Sequence, residues 1–446
     1  MRIIFAIIIF ERGLCIGTSD TVRFGVAKDL ITPAEKTTIM GFGTVFGVPF
    51  TDIHDDLYVR ALVLEQADKK IILLAFDLCF HDDSLTEALR DYAEKTYGVD
   101  RGGLHVSYTH THYGPAVKGY DITHHKASYE AFISDRARRA IDRAFLSMRD
   151  GTLSYGAVEG DWNVSRRKME NGVCEFKPNP DGGRDKNIYC LKLSDTNGKM
   201  RALLMNYACH PSNLNAYITI SSEYPGRLCQ FIEAEHYGCT ALFFQGCGGD
   251  AKLKIGMKSA ERFTSISYED CDEAAASMAK RINGALYGGQ FTQIDVSLDS
   301  RAFKIPMPLD VYPKSFFEKE RETHKNSSEL LYICAGYVLE HYDEMPDFVS
   351  LNCGAIKLNG NLYIFSMGGE PSYDVKRVLA DMMGDKNMLF FGFNDSLSYV
   401  PSDTMLKEGG YEAERFVTEY RFKGNYRPGI DKLFTEYFKR AVDEMK

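Results

Sequence analysis

This sequence lacks a C-x-x-C pair, an internal repeat, a low-complexity stretch and any long block of like charge, and it has one tryptophan. Each absence excludes something. With no low complexity, and with 44% hydrophobic and 26% charged residues, the chain is neither disordered nor fibrous. Its 53 basic and 62 acidic residues are interspersed and sum to a net charge of -9. That balance argues against nucleic acid or an anionic membrane surface as the main partner and leaves a small-molecule or lipid substrate. The 11 cysteines are scattered, and an odd number cannot all pair within one chain. Their spacing fits neither a disulfide framework nor a thiolate zinc site, and Cys79 and Cys334, in apolar runs, read as buried free thiols. No stretch approaches the roughly 20 apolar residues of a membrane span.

The N-terminus has a short signal-peptide pattern: Arg2, the apolar run Ile3 to Phe10, then Cys15-Ile16-Gly17. Residues 1–20 are therefore expected to be a leader and the mature protein extracytoplasmic or secreted. The competing reading is a short buried strand in a cytoplasmic protein. The length of 446 residues allows about three domains, or one large α/β unit.

Short apolar runs that end in polar or glycine-rich clusters recur along the chain, at Lys70 to Phe80, Leu104 to Thr109, Leu203 to Cys209, Ala241 to Gln245, Leu362 to Met367 and Met388 to Phe393. Helical periodicity is found at Ser128 to Met148, Tyr224 to His236, Asp270 to Ala285, Pro371 to Met383 and Asp431 to Met445. Asn197-Gly198 and Asn359-Gly360 each sit between two alternating runs, a hairpin signal. The pattern predicts an α/β fold of mixed β-sheets flanked by helices. In such folds ligands bind beyond the carboxyl ends of strands, so the chemistry should lie there.

Those ends carry a notable set. After LHVSYT come His110-Thr111-His112, and in an extended segment alternate side chains share a face, so both imidazoles would serve one ion. Taken alone, the pair also reads as an ordinary hydrogen-bonded loop. After ALLMNYAC comes His210. After ALFFQ comes Gly246-Cys247-Gly248-Gly249-Asp250, where Asp250 also reads as a helix N-cap. NLYIFSM ends in Gly368-Gly369-Glu370-Pro371, where Glu370 also reads as a group favouring the dipole of the next helix. Together the two histidine sites and the glutamate form the His/His/Glu set of a catalytic zinc centre with a position open to water. Zinc there would bring the pKa of bound water toward about 7, whereas calcium or magnesium would call for more carboxylates. His54-Asp55-Asp56 reads as a turn or a group supporting the site. Asn163 to Lys168 reads as a solvated basic loop or a site for a substrate anion.

This ordered set, with Tyr399-Val400-Pro401 ahead of Gly409-Gly410-Tyr411-Glu412, resembles the catalytic domain of the neutral/alkaline non-lysosomal ceramidase family. The opening RFGVAKDLITPAEKTTIMGFG and the segment HDDLYVRALVLE add to the likeness, which runs from about Val22 to near the C-terminus. The resemblance implies a single large catalytic domain over 21–446, with no counterpart of the immunoglobulin-like domain that follows in the ceramidases. It implies a Zn2+ ion held by His110, His210, Glu370 and Tyr399, and hydrolysis of an amide, with an N-acyl sphingolipid as substrate. It further implies that His112 and Tyr411 orient the substrate and meet the oxyanion and that Arg166 matches an arginine of the family's site; in the expected mechanism His112 or Asp250 manages protons for the leaving amine. One position departs from the pattern: Lys252 stands where the family has a serine essential to its amide chemistry. The departure keeps two alternatives open, hydrolysis of a non-lipid amide or ester such as a carbohydrate N-acyl group, and a metal-binding homologue without catalysis.

Overall fold

The computed structural model describes residues 21–445, so the expected leader and Cys15 lie outside the described residues. Two mixed sheets form the centre. The larger runs in the order Thr240–Gln245, Met200–Tyr207, Asn187–Asp195, Arg149–Glu159, Val22–Leu30, Tyr58–Gln66, Lys69–Phe76, Leu104–Tyr108, with Thr292–Ile294 added to Arg149–Glu159. The second runs Asn387–Val400, Leu362–Pro371, Phe348–Asn359, Asp299–Val311, Gly424–Tyr426. Parallel pairs join Met200–Tyr207 to Thr240–Gln245, Lys69–Phe76 to Leu104–Tyr108, and Leu362–Pro371 to Asn387–Val400. The other neighbours in the two sheets are antiparallel, so the expected α/β fold with mixed sheets is the fold found.

Side-chain alternation builds the layers. Leu62, Leu64, Ile71 and Leu73 point from the larger sheet into an apolar layer shared with Leu362, Ile364, Leu389 and Phe391 of the second. There Phe244 stacks on Phe391 at 4.2 Å between centroids. Residues of the opposite parity, Ala61, Val63, Ile72 and Leu74, bury against helix Ala127–Leu146 through Ile133, Ala137 and Ile141. Helices Glu223–Glu235 and Tyr268–Tyr287 pack through Leu228, Ile232, Met278 and Ile282 with Leu203, Met205 and Phe243. Helices Tyr373–Met383 and Ile430–Asp443 cover the outer face of the second sheet, where Phe438 meets Phe365 at 4.6 Å.

Both Asn-Gly pairs lie in antiparallel hairpins, joining Asn187–Asp195 to Met200–Tyr207 and Phe348–Asn359 to Leu362–Pro371. The ten described cysteines are free and buried, as the apolar runs around Cys79 and Cys334 predicted. Among the described residues no helix is long and apolar enough to cross a membrane. The stretch Asn163 to Lys168 is not a solvated loop. It belongs to strand Asn163–Glu170, and its two arginines are buried because acidic partners await them inside.

Candidate metal centre

The carboxyl ends of strands from both sheets meet at one buried point. Past Leu104–Tyr108 the chain turns at His110, whose φ of +64° lies in the left-handed region. His110 and His112 therefore converge through a turn, not through the extended alternation their spacing suggested. Their Nε2 atoms are 3.0 Å apart. His210, beyond Met200–Tyr207, brings its own Nε2 to 3.0 Å from that of His110 and 3.1 Å from that of His112.

The other ring nitrogens fix the tautomers. His110 Nδ1 lies 3.0 Å from the Cys79 carbonyl and His210 Nδ1 3.3 Å from the Gly248 carbonyl. A carbonyl only accepts, so each Nδ1 donates and each Nε2 presents a lone pair. Burial keeps the rings neutral, His110 and His210 well below the ordinary imidazole range and His112 at about 3.

Glu370 completes the cluster from the second sheet. Its Oε2 lies 3.6 Å from His110 Nε2 and 3.5 Å from His210 Nε2 and accepts no hydrogen bond, while Oε1 is bound by the Tyr420 hydroxyl. Burial raises its carboxyl to about 8. Imidazole lone pairs that face a carboxyl group which burial keeps protonated, in a dry site, suit a cation, which would take the proton's place and reverse the cost of burying the carboxylate. His110, His210 and Glu370 thus form a buried group able to bind a metal ion. Cys79, its Sγ 3.5 Å from His110 Nδ1, stands behind that ring as a thiol that burial keeps protonated.

Two glycines permit close approaches here, Gly249 between the two sheets and Gly369 between neighbouring strands of the second. A Cβ on Gly249 would sit 2.6 Å from the Glu370 carbonyl oxygen, and Gly369, at φ +77°, passes so near Ser398 that its Cβ would meet that carbonyl at 2.6 Å. Tyr399 is the register partner of Glu370, and its hydroxyl accepts from Arg166 Nη2 at 3.0 Å. Arg166 Nε in turn donates to Glu412 Oε1 at 2.7 Å, and Arg167 Nη1 reaches Glu412 Oε2 at 2.9 Å.

A cavity of about 460 Å³ opens from the cluster, lined by His112, His210, Arg166, Tyr399 and Tyr411 and by the apolar Phe42, Phe176, Leu330 and Leu331. It is neither a purely apolar tunnel nor a polar cleft. The carboxylate of Glu419, then burial, raises the Tyr411 hydroxyl, which stays protonated as a donor at neutral pH. Asp250 does not line this cavity. Its Oδ1 accepts from the Tyr373 amide at 3.0 Å, capping the start of Tyr373–Met383, and burial raises its carboxyl to about 7. Asp55 likewise accepts from the Ser222 amide and the Ser221 hydroxyl, each at 2.6 Å, as a satisfied turn does.

The sequence reading missed Glu412, Glu419 and Tyr420. Glu412 stood in the quoted G-G-Y-E run, and two adjacent arginines inside a strand were the available hint that a buried carboxylate must exist. Glu419 and Tyr420 lie in a turn-rich segment with no local signal.

No protein-family model matches the sequence. Among solved structures the chain is similar to the neutral ceramidase of Pseudomonas aeruginosa, with 17% identity and a TM-score of 0.71 over 95% of this chain and 73% of that one. It is similar also to a ceramidase complexed with C2, with 18% identity and a TM-score of 0.70 over 95% and 74%. At these identities the likeness is one of fold, and the chain has a neutral ceramidase-like fold.

Proposed function

We propose that this chain is a zinc-dependent hydrolase that cleaves an amide bond. One observation carries the reading: three neutral imidazole nitrogens within 3.1 Å of one another beside a buried carboxylate oxygen without a partner. His110, His210, Glu370 and Tyr399 would hold the ion. When bound, zinc would supply Lewis-acid polarisation of a carbonyl and lower the pKa of a water.

The remaining steps fall to side chains that line the cavity. Tyr411 donates a hydrogen bond to the oxyanion that develops as the carbonyl is attacked. His112, neutral and at the cavity wall, takes at Nε2 the proton released by the water that attacks the carbonyl and passes it to the amine nitrogen as the C–N bond breaks. Arg166, fixed by Glu412, holds the Tyr399 hydroxyl and puts positive charge where negative charge develops. Asp250 is assigned support: its backbone carbonyl accepts from the Arg166 amide at 2.9 Å and its carboxyl caps a helix.

The family resemblance and the fold bring ceramide, an N-acyl sphingolipid, as the first substrate to test, and the apolar side of the cavity supports an acyl chain. Lys252 in the wall favours the second reading, a more polar amide. A protein secreted through the expected leader, acting on such substrates, is part of this proposal. The test is the zinc content of purified wild type and of His210→Ala, with fatty acid released from a short-chain ceramide measured in parallel. Wild type should hold about one zinc per chain and the variant much less. A wild type that binds no zinc ends the reading, and a zinc-loaded protein inert to all amides and esters makes the chain a metal-binding homologue without catalysis.

A further inference from the structure

The cavity beside the metal centre presents a cation that no carboxylate meets in an ion pair. The other buried basic groups nearby are matched: Arg166 and Arg167 by Glu412, and Lys376 by Asp185. Lys252 is not. Among the described residues no carboxylate lies in ion-pair contact with it: the buried Glu223 acts on it only from a distance and is held by Asn213, and the one hydrogen bond of Lys252 goes to the Ser212 carbonyl at 3.0 Å. The ring of Phe263 lies 5.7 Å from its Nζ. An ammonium has three donors, so two remain for a ligand in the cavity that Lys252 lines.

Its position is built in. Lys252 sits in strand Ala251–Leu253, opposite Val164 of the strand that carries Arg166, and it bridges to His210. Arg415, also on the cavity wall and exposed, makes no ion pair among the described residues. The one carboxylate in the wall, Glu419, is engaged by the Tyr120 hydroxyl. A half-buried ammonium with no carboxylate in contact costs free energy that a ligand anion in the cavity would offset. Phe42, Leu330 and Leu331 stand in the same wall and would take an apolar chain.

We propose that the substrate of this cavity is an amide that also carries a carboxylate, as an N-acyl amino acid does, and that Lys252 is the residue that selects it. The inference rests on reading the cavity as an amide-hydrolysing site. A sphingoid amine offers hydroxyls but no anion and would leave the ammonium unmatched.

The test compares N-octanoylglycine with the neutral N-octanoylglycinamide. Calorimetry on the full chain gives the dissociation constants for wild type, Lys252→Met and Lys252→Arg. The acid should bind wild type at least about tenfold more tightly, which is about 1.4 kcal/mol. That preference should vanish in Lys252→Met and persist in Lys252→Arg. Equal affinities in wild type, no binding of either probe, or a preference that survives in Lys252→Met overturns the inference. Turnover of the same pair by the zinc-loaded protein separates it from the reading beneath it. Equal kcat/KM for both keeps the hydrolase and discards the selectivity, whereas selective binding with no turnover keeps the selectivity and discards the hydrolase.

Discussion

Gly249→Ala tests the candidate metal centre without substituting a ligand. The added Cβ would lie 2.6 Å from the Glu370 carbonyl oxygen and 3.2 Å from that of Pro371, where ordinary contact begins at 3.4 Å. Relief requires the strand end carrying Glu370 to move by about 0.8 Å, the difference between 3.4 and 2.6 Å. Metal–ligand distances tolerate only about 0.2 Å, so the carboxylate would leave its place opposite the imidazoles. Changes in groups that support a ligand typically cost roughly 10–100-fold in metal affinity, and that is the loss expected. Overpacking itself should cost about 1–3 kcal/mol of stability. At about 2.1 cal/mol/K of unfolding entropy per residue, a chain of 446 residues then loses only about 1–3 °C in Tm. The two effects are therefore separable. A competition titration against a chromophoric zinc chelator reads the affinity, and scanning calorimetry of the metal-free protein reads the stability. A folded Gly249→Ala with wild-type zinc affinity would refute the argument that the close approach of the two sheets sets the ligand geometry.

Three further outcomes are expected. Tyr411→Phe, which removes the proposed oxyanion donor, should lower kcat by about 10²–10³ with a smaller change in KM, measured on whichever amide proves to be turned over. Arg60→Met leaves Asp77 buried with its charge unpaired, since Arg60 Nη1 lies 2.5 Å from Asp77 Oδ2 and both are almost wholly buried. Denaturant unfolding should show a loss of about 3–5 kcal/mol, and an unchanged midpoint would sink that account. Burial alone would depress the His81 imidazole, but hydrogen bonds with Asp82 and Glu130 override it and raise it to about 9. A group raised in the folded state contributes stability that is complete below its unfolded value near 6.5 and lost as pH rises through about 9. His81→Gln should remove that loss from the stability profile between those limits, as thermal melts across the range would reveal.

Much of the site was legible because its residues stand where apolar runs stop. His110, His210 and Glu370 each follow such a run, and a polar residue at the end of a buried strand must either find a partner or serve a ligand. Tyr399 was not legible from spacing, because its place is set by strand register with Glu370, a pairing across the second sheet. The geometry of His110 was misjudged for a related reason. Alternation along an extended chain placed it with His112, while the structure uses a left-handed turn, uncommon for any residue but glycine even though histidine is among those that tolerate it. The segment Asn163 to Lys168 misled because adjacent charges usually face water, whereas here the distant Glu412, with Glu408 for Arg167, compensates the burial of both arginines. Hairpins at Asn197-Gly198 and Asn359-Gly360 read correctly since turn chemistry is local.

The division of the candidate metal cluster between two sheets has a consequence for how an ion would be acquired. Every imidazole comes from the ends of the larger sheet, whereas Glu370 and Tyr399 come from the second, over 150 residues later in the chain than His210. A nascent chain that had assembled only the first sheet would offer three nitrogens and no anionic oxygen, a weak and unselective holder. Only docking of the second sheet adds the carboxylate. Tight capture of an ion by this group would therefore wait on long-range contacts, and a bound ion would report that the two sheets have docked.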